Sequence, residues 1–96
     1  MTIQGLIPAT LTPFNSAGAI DHLALSKHIT SVGAATGLYG IAVNGHAGEI
    51  LALNDDERQA VISTARSAMP SGLKLIAGIE ASSIDGLVRQ GLRARD

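Results

Sequence analysis

Val43-Asn44-Gly45-His46-Ala47-Gly48-Glu49, arriving at the end of the apolar run Leu38 to Val43, is the stretch whose reading decides the fold. The run has the length and near-continuous apolar character of a parallel strand buried on both faces. Two glycines then flank the one histidine outside a helix-like segment, and the stretch closes on a carboxylate. A strand opening into a backbone-rich loop of this kind can cradle an anion on successive N–H groups. The loop lacks the Lys-Ser/Thr of a P-loop and the glycine spacing of a dinucleotide fingerprint, so nucleotides are poorly supported as that anion.

Upstream, Gly5 to Leu11 is short and apolar and reads as a first strand, although Pro8 inside it has no N–H to give a ladder. Turn residues follow from Thr12 to Gly18. Thr12 stands at the strand's C-terminal end, either as a loop hydroxyl bonding local backbone or as a pocket residue. Asp21 is a plausible N-cap for a helix running to about Ala35, with Leu25, Ile29 and Val32 on one face. His22 and His28 share no site with a carboxylate and read as surface or boundary residues. Tyr39 lies at the end of its strand opposite the loop, which makes it structural.

Downstream, Asn54 and Glu57 have capping-box spacing, and Asp55, Asp56 and Glu57 suit the positive end of a helix dipole better than a metal cluster. Val61, Ile62, Ala65 and Met69 form that helix's buried face, and Pro70-Ser71-Gly72 stops it. Leu73 to Ile79 reads as a third strand, apolar apart from Lys74. Ser82 is the expected cap of a third helix, in which Ile84, Leu87, Val88, Gly91 and Leu92 recur on one face.

The order is strand–helix three times over, with strands about 35 residues apart. That alternation predicts an α/β chain with parallel strands and crossover helices, residues 1–96 forming one unit. Three such units leave sheet edges and one face without cover, so the unit reads as part of something larger. Composition agrees: 46% of the 96 residues are apolar but only Phe14 and Tyr39 are aromatic, so the core is aliphatic. Seven scattered Lys and Arg in a chain of net charge −1 give nucleic acid no electrostatic footprint. The absence of cysteine removes disulfides, thiolate nucleophiles and Cys-rich zinc sites. No signal peptide and no membrane-length apolar run is present, so the expectation is a soluble, cytoplasmic protein needing neither metal nor cofactor.

Three segments together resemble the dihydrodipicolinate synthase / N-acetylneuraminate lyase family of Schiff-base aldolases. Ile7-Pro8-Ala9-Thr10-Leu11-Thr12-Pro13-Phe14 is similar to the family's first strand ending in Thr-Pro-Phe. Gly45-His46-Ala47-Gly48-Glu49, followed by Leu53-Asn54-Asp55-Asp56-Glu57-Arg58, resembles its Gly-Thr-Thr-Gly-Glu or Gly-Ser-Thr-Gly-Glu loop and acidic helix start. Leu75-Ile76-Ala77-Gly78 is similar to strand three.

The resemblance implies the first three βα units of a (β/α)8 TIM barrel, a fold of about 250 residues. It also implies a pocket for pyruvate or another 2-oxo acid and a homo-oligomeric full-length form. The family's Schiff-base lysine on strand six and its tyrosine on strand five would both lie beyond Asp96. Lys27 and Lys74 are not substitutes, so the chain by itself is expected to be inactive. By the same resemblance Gly45 and Ala47 offer backbone N–H groups to the substrate carboxylate, and Thr12 lies at the pocket. His46 and Ala47 stand where the family has two hydroxyls; His46 is either a proton relay or a pocket-shaping residue. Glu49 is either an acid–base group or, as favoured here, an acceptor of loop N–H bonds. Glu80 either reads a polar substrate group or faces solvent. The competing reading is a non-catalytic anion-binding or self-associating α/β module.

Overall fold

A computed structural model describes residues 4–95. It contains α1 (His22–Gly33), β1 (Gly40–Val43), a 3-10 turn (Ile50–Ala52), α2 (Asp55–Ala68), β2 (Lys74–Ala77) and α3 (Ile84–Arg95).

Each helix starts where a side chain can satisfy an orphan N–H. The Asp21 carboxylate accepts from Ala24 N–H at 3.0 Å and opens α1. At α2 the capping box is complete: Asn54 Oδ1 accepts from Glu57 N–H and Glu57 Oε1 from Asn54 N–H, each at 2.8 Å. At α3 the expected cap shifts by one residue. Ser83, not Ser82, accepts from Gly86 N–H through its Oγ at 3.0 Å, while its carbonyl accepts from Leu87 N–H. Two adjacent serines offer the same chemistry, and only the geometry of the first turn chooses between them.

β1 and β2 pair in parallel, with Gly40, Ile41, Ala42 and Val43 opposite Lys74, Leu75, Ile76 and Ala77. The segment read as a first strand does not form a regular one. It meets β1 and the residues just before it through two parallel bridges, Leu6 to Leu38 and Ala9 to Ala42, and the register slips by one residue between them. Pro8 sits at the slip: its carbonyl accepts from Ala42 N–H at 3.0 Å, but it has no donor to return. The three regular βα units expected from the sequence are therefore two regular strands and one bridged segment, within an α/β fold.

Residues paired across a parallel ladder share a face. Ile41 and Val43, with their partners Leu75 and Ala77, turn toward the helices and join Leu25, Ile29, Leu53, Val61, Ala65 and Met69 in the core. The opposite face carries Leu6, Ala9, Ala42 and Ile76, and no helix among the described residues covers it: Leu6 is 69% and Ile76 39% exposed. β2 is accordingly less buried than a third interior strand would be. The α3 stripe has the expected period, but Ile84, Val88 and Leu92 are exposed, since α3 touches α2 and leaves those residues unpacked. Among the described residues no helix is long and apolar enough to cross a membrane.

Candidate functional site

Parallel strands bring their C-terminal ends to one side, and the three loops that follow them meet there. Gly78 N–H donates to Val43 O at 3.0 Å, which binds the exit of β2 to the exit of β1. A methyl group on Gly78 would overlap Asn44 O, only 2.2 Å from its ideal Cβ position, so glycine is required for this approach. From the N-terminal segment, Thr12 Oγ1 donates to Gly48 O at 2.7 Å in a buried bond. Thr12 thus bonds backbone 36 residues away rather than its own turn.

The central loop, residues 44–49, is framed by two left-handed residues, Asn44 (φ 56°) and Glu49 (φ 59°). Its turn closes on its own backbone: Glu49 N–H donates to His46 O at 3.0 Å and Ile50 N–H to Gly45 O at 3.2 Å. The reading in which the Glu49 carboxylate accepts loop N–H bonds does not hold, because that side chain makes no cap bond and the residue is exposed. The backbone does that work because two left-handed residues already curl the loop onto itself.

The amide N–H groups of Gly45, His46 and Ala47 find no acceptor among the described residues. Consecutive unpartnered donors, with Gly48 N–H likewise lacking an acceptor, on a loop pinned at Thr12, Gly78 and Asn44 are what an anion nest requires of a backbone. The side chains of His46 and Ala47 are exposed, and His46 lines a cleft of about 300 Å³ with Glu49, Ile50, Leu51 and Ala52. A larger cleft of about 1000 Å³ lies between α2, β2 and α3 on the helix side, and no residue of the loop lines it. It is the gap left by the loosely packed α3, and of the residues weighed as candidates only Lys74 lines it.

The other titratable candidates lie apart from the loop. His28 Nε2 accepts from Leu11 N–H at 3.1 Å, and His22 Nδ1 pairs with Thr64 Oγ1 at 2.7 Å, so both histidines tie helices to neighbours. Lys27 is exposed on α1, and Lys74 opens β2 at the end remote from the loop. Among the described residues no three His, Cys, Asp or Glu converge as metal ligands.

Two residues that sequence reasoning left without a role hold this site together. Asn44 is 1% exposed and its Nδ2 donates to Arg58 O at 3.0 Å. Arg58 in turn donates from Nε and Nη2 to Ile50 O, at 3.1 and 2.8 Å, and from Nη1 to Glu80 O. Both left a trace in the sequence. Asn before Gly at a strand end favours a left-handed turn. An arginine in the opening of an acidic helix sits against the helix dipole and needs partners elsewhere.

The fold has counterparts among solved structures. N-acetylneuraminate lyase of Proteus mirabilis shares 31% identity at a TM-score of 0.82, with 95% of this chain matched to 30% of that one. Dihydrodipicolinate synthase of Aquifex aeolicus gives 30% identity and 0.83, with 96% matched to 31%. N-acetylneuraminate lyase of Mycoplasma synoviae gives 25% and 0.86, with 97% matched to 32%. The chain therefore spans about a third of the length of these enzymes. The pattern of the Dihydrodipicolinate synthetase family matches residues 2–95. With nearly its whole length matched, and with a pinned loop at the shared C-terminal ends of its strands, the chain belongs to the Dihydrodipicolinate synthetase family.

Proposed function

We propose that residues 1–96 are the N-terminal part of a lyase or aldolase acting on pyruvate or a related 2-oxo acid through a lysine Schiff base. The observation that carries this reading is the row of three unpartnered amide donors at Gly45, His46 and Ala47. A substrate carboxylate seated there would leave its 2-oxo carbonyl directed away from the loop, toward the barrel that the remaining strand–helix units would close. A lysine amine supplied from beyond residue 96 would add to that carbonyl and expel water. Lys27 and Lys74 are exposed and lack the desolvated setting that activates an amine, so this chain alone is inactive. In this reading His46 relays a proton from its exposed position on the cleft, and Thr12 positions the loop through Gly48 O rather than by giving its own proton to substrate. No metal or cofactor takes part, and the complete protein is a cytoplasmic homo-oligomer.

Reductive trapping tests the proposal. Pyruvate with borohydride should label one lysine in a longer protein that contains this sequence and none in residues 1–96. Label on Lys27 or Lys74 would overturn it. The competing reading, a non-catalytic anion-binding module, is favoured by the same free amides, since they suit a phosphate as well as a carboxylate. Amide chemical shifts at Gly45–Ala47 during separate titrations with pyruvate and inorganic phosphate distinguish them: selective response to pyruvate supports the lyase, and equal response supports the module.

A further inference from the structure

Arg58 is a lone cation at the opening of α2, its side chain only 12% exposed, yet its one carboxylate contact, to Asp55, is long at 3.8 Å and exposed on the Asp side. Such a pair contributes little. The guanidinium is instead satisfied by neutral oxygens drawn from three parts of the chain. Nε and Nη2 hold Ile50 O at the end of the β1 loop, and Nη1 reaches Glu80 O after β2 at 2.5 Å and Gln90 Oε1 on α3 at 3.2 Å. Gln90 completes the arrangement. Its Oε1 accepts from Glu80 N–H at 2.9 Å while its Nε2 donates to Glu80 O, so one side-chain amide pairs with both polar groups of residue 80.

We infer that Arg58, assisted by Gln90, is a positioning residue that holds the loop after β1 and the loop after β2 in one register and so keeps the amide nest of Gly45–Ala47 in shape. The consequence for ligand binding rests on the anion-binding reading of that nest; the coupling of the two loops does not. Two features point beyond ordinary packing. The same arginine anchors Asn44 through its main-chain carbonyl and Ile50 through its side chain, so both ends of the nest loop are tied to one residue. The geometry also demands a planar fork with divergent donors, which a lysine ammonium on a flexible stem does not provide.

The test uses the 96-residue chain, with amide hydrogen exchange as the first readout. The variants are Arg58→Lys, Arg58→Gln and Gln90→Ala, with Arg93→Gln as control. Arg93 pairs with Asp56 at 3.2 Å on the exposed side of the same two helices. In both Arg58 variants the loops that Arg58 holds through Ile50 O and Glu80 O should open more often, so that Ile50 N–H, bonded to Gly45 O, and Glu80 N–H, bonded to Gln90 Oε1, exchange about tenfold faster or more, while Val61 within α2 is unchanged. Gln90→Ala should expose Glu80 N–H and leave Ile50 protected, and Arg93→Gln should alter neither. A uniform change at all amides, or protection of Ile50 and Glu80 restored in Arg58→Lys, would overturn the inference. If both Arg58 variants fail to fold, Gln90→Ala decides alone: unchanged exchange at Glu80 refutes the clamp.

Pyruvate is then titrated while the Gly45–Ala47 amide shifts are followed. Loss of about tenfold in affinity in Arg58→Lys, with none in Arg93→Gln, is the expected result. Equal affinity in Arg58→Lys and the unmutated chain would refute the effect on the nest. Failure of the unmutated chain to respond to pyruvate would count against the anion-binding reading, whereas the exchange pattern would still judge the clamp.

Discussion

Thr12, Asn44 and Gly78 are three small demands of the backbone met by three particular side chains. Thr12→Val removes the buried donor to Gly48 O and leaves that carbonyl unpaired; the expected loss is about 1–3 kcal/mol by denaturant titration. Gly78→Ala is the harsher change. Its methyl would fall against main-chain atoms of Asn44 that cannot swing aside, so the two loops must separate. We expect at least about 2 kcal/mol of destabilisation, in the range of overpacked sites, together with faster exchange at Gly78 N–H. Asn44→Gly keeps the left-handed backbone but loses the bond to Arg58 O, whereas Asn44→Ala loses both advantages. Alanine should therefore be the more damaging replacement, and equal stability of the two variants would show that the side-chain bond, not the backbone angle, is what matters here.

Among the helices, two caps and the buried faces of α1 and α2 were legible from residue spacing, and the exposure of the α3 stripe was not. Asp21 and Asn54 lie where their chemistry required them, because an N-cap bond involves only residues three apart in sequence. Asn54→Ala should lower stability by about 0.5–2 kcal/mol in thermal or denaturant unfolding. Periodicity also located the α3 stripe, but a stripe says which residues would face a partner, not whether a partner is there. Val61 at 1% exposure and Val88 at 53% test the difference. Val61→Ala should cost about 1–3 kcal/mol through transfer and cavity terms, and Val88→Ala less than about 0.5. Similar losses at the two sites would mean that α3 packs more tightly than described. Pro8 shows the converse limit: its missing N–H was visible in the sequence, but the slipped register it accompanies depends on how β1 meets it.

At the scale of the whole molecule, the 9.8 kDa chain exposes 5940 Å², against about 5200 Å² for a compact monomer of that mass. The surplus agrees with a sheet covered by helices on one face only, since parallel sheets are ordinarily buried on both. The native chain should therefore bind an apolar fluorescent dye. Ile76→Lys, which places a charge within the bare face, should reduce that binding while changing unfolding free energy by less than about 1 kcal/mol. Dye binding unaffected by the substitution would place the apolar surface elsewhere, the exposed α3 stripe being the next candidate.

The sequence by itself determined the strand–helix alternation, two of the helix caps, the aliphatic core face and the family, because each depends on residue types at short, fixed separations. It also located the loop from Asn44 to Glu49. The tertiary structure alone decided that Thr12 reaches Gly48, that Glu49 is not the turn's anchor, and that Arg58 and Gln90 join two loops. These contacts join residues eight to thirty-six positions apart, where local spacing carries no record of distance. The exposure of the α3 stripe and of the sheet's second face was decided there too, for a stretch's own residues encode which side is apolar but not what lies against it.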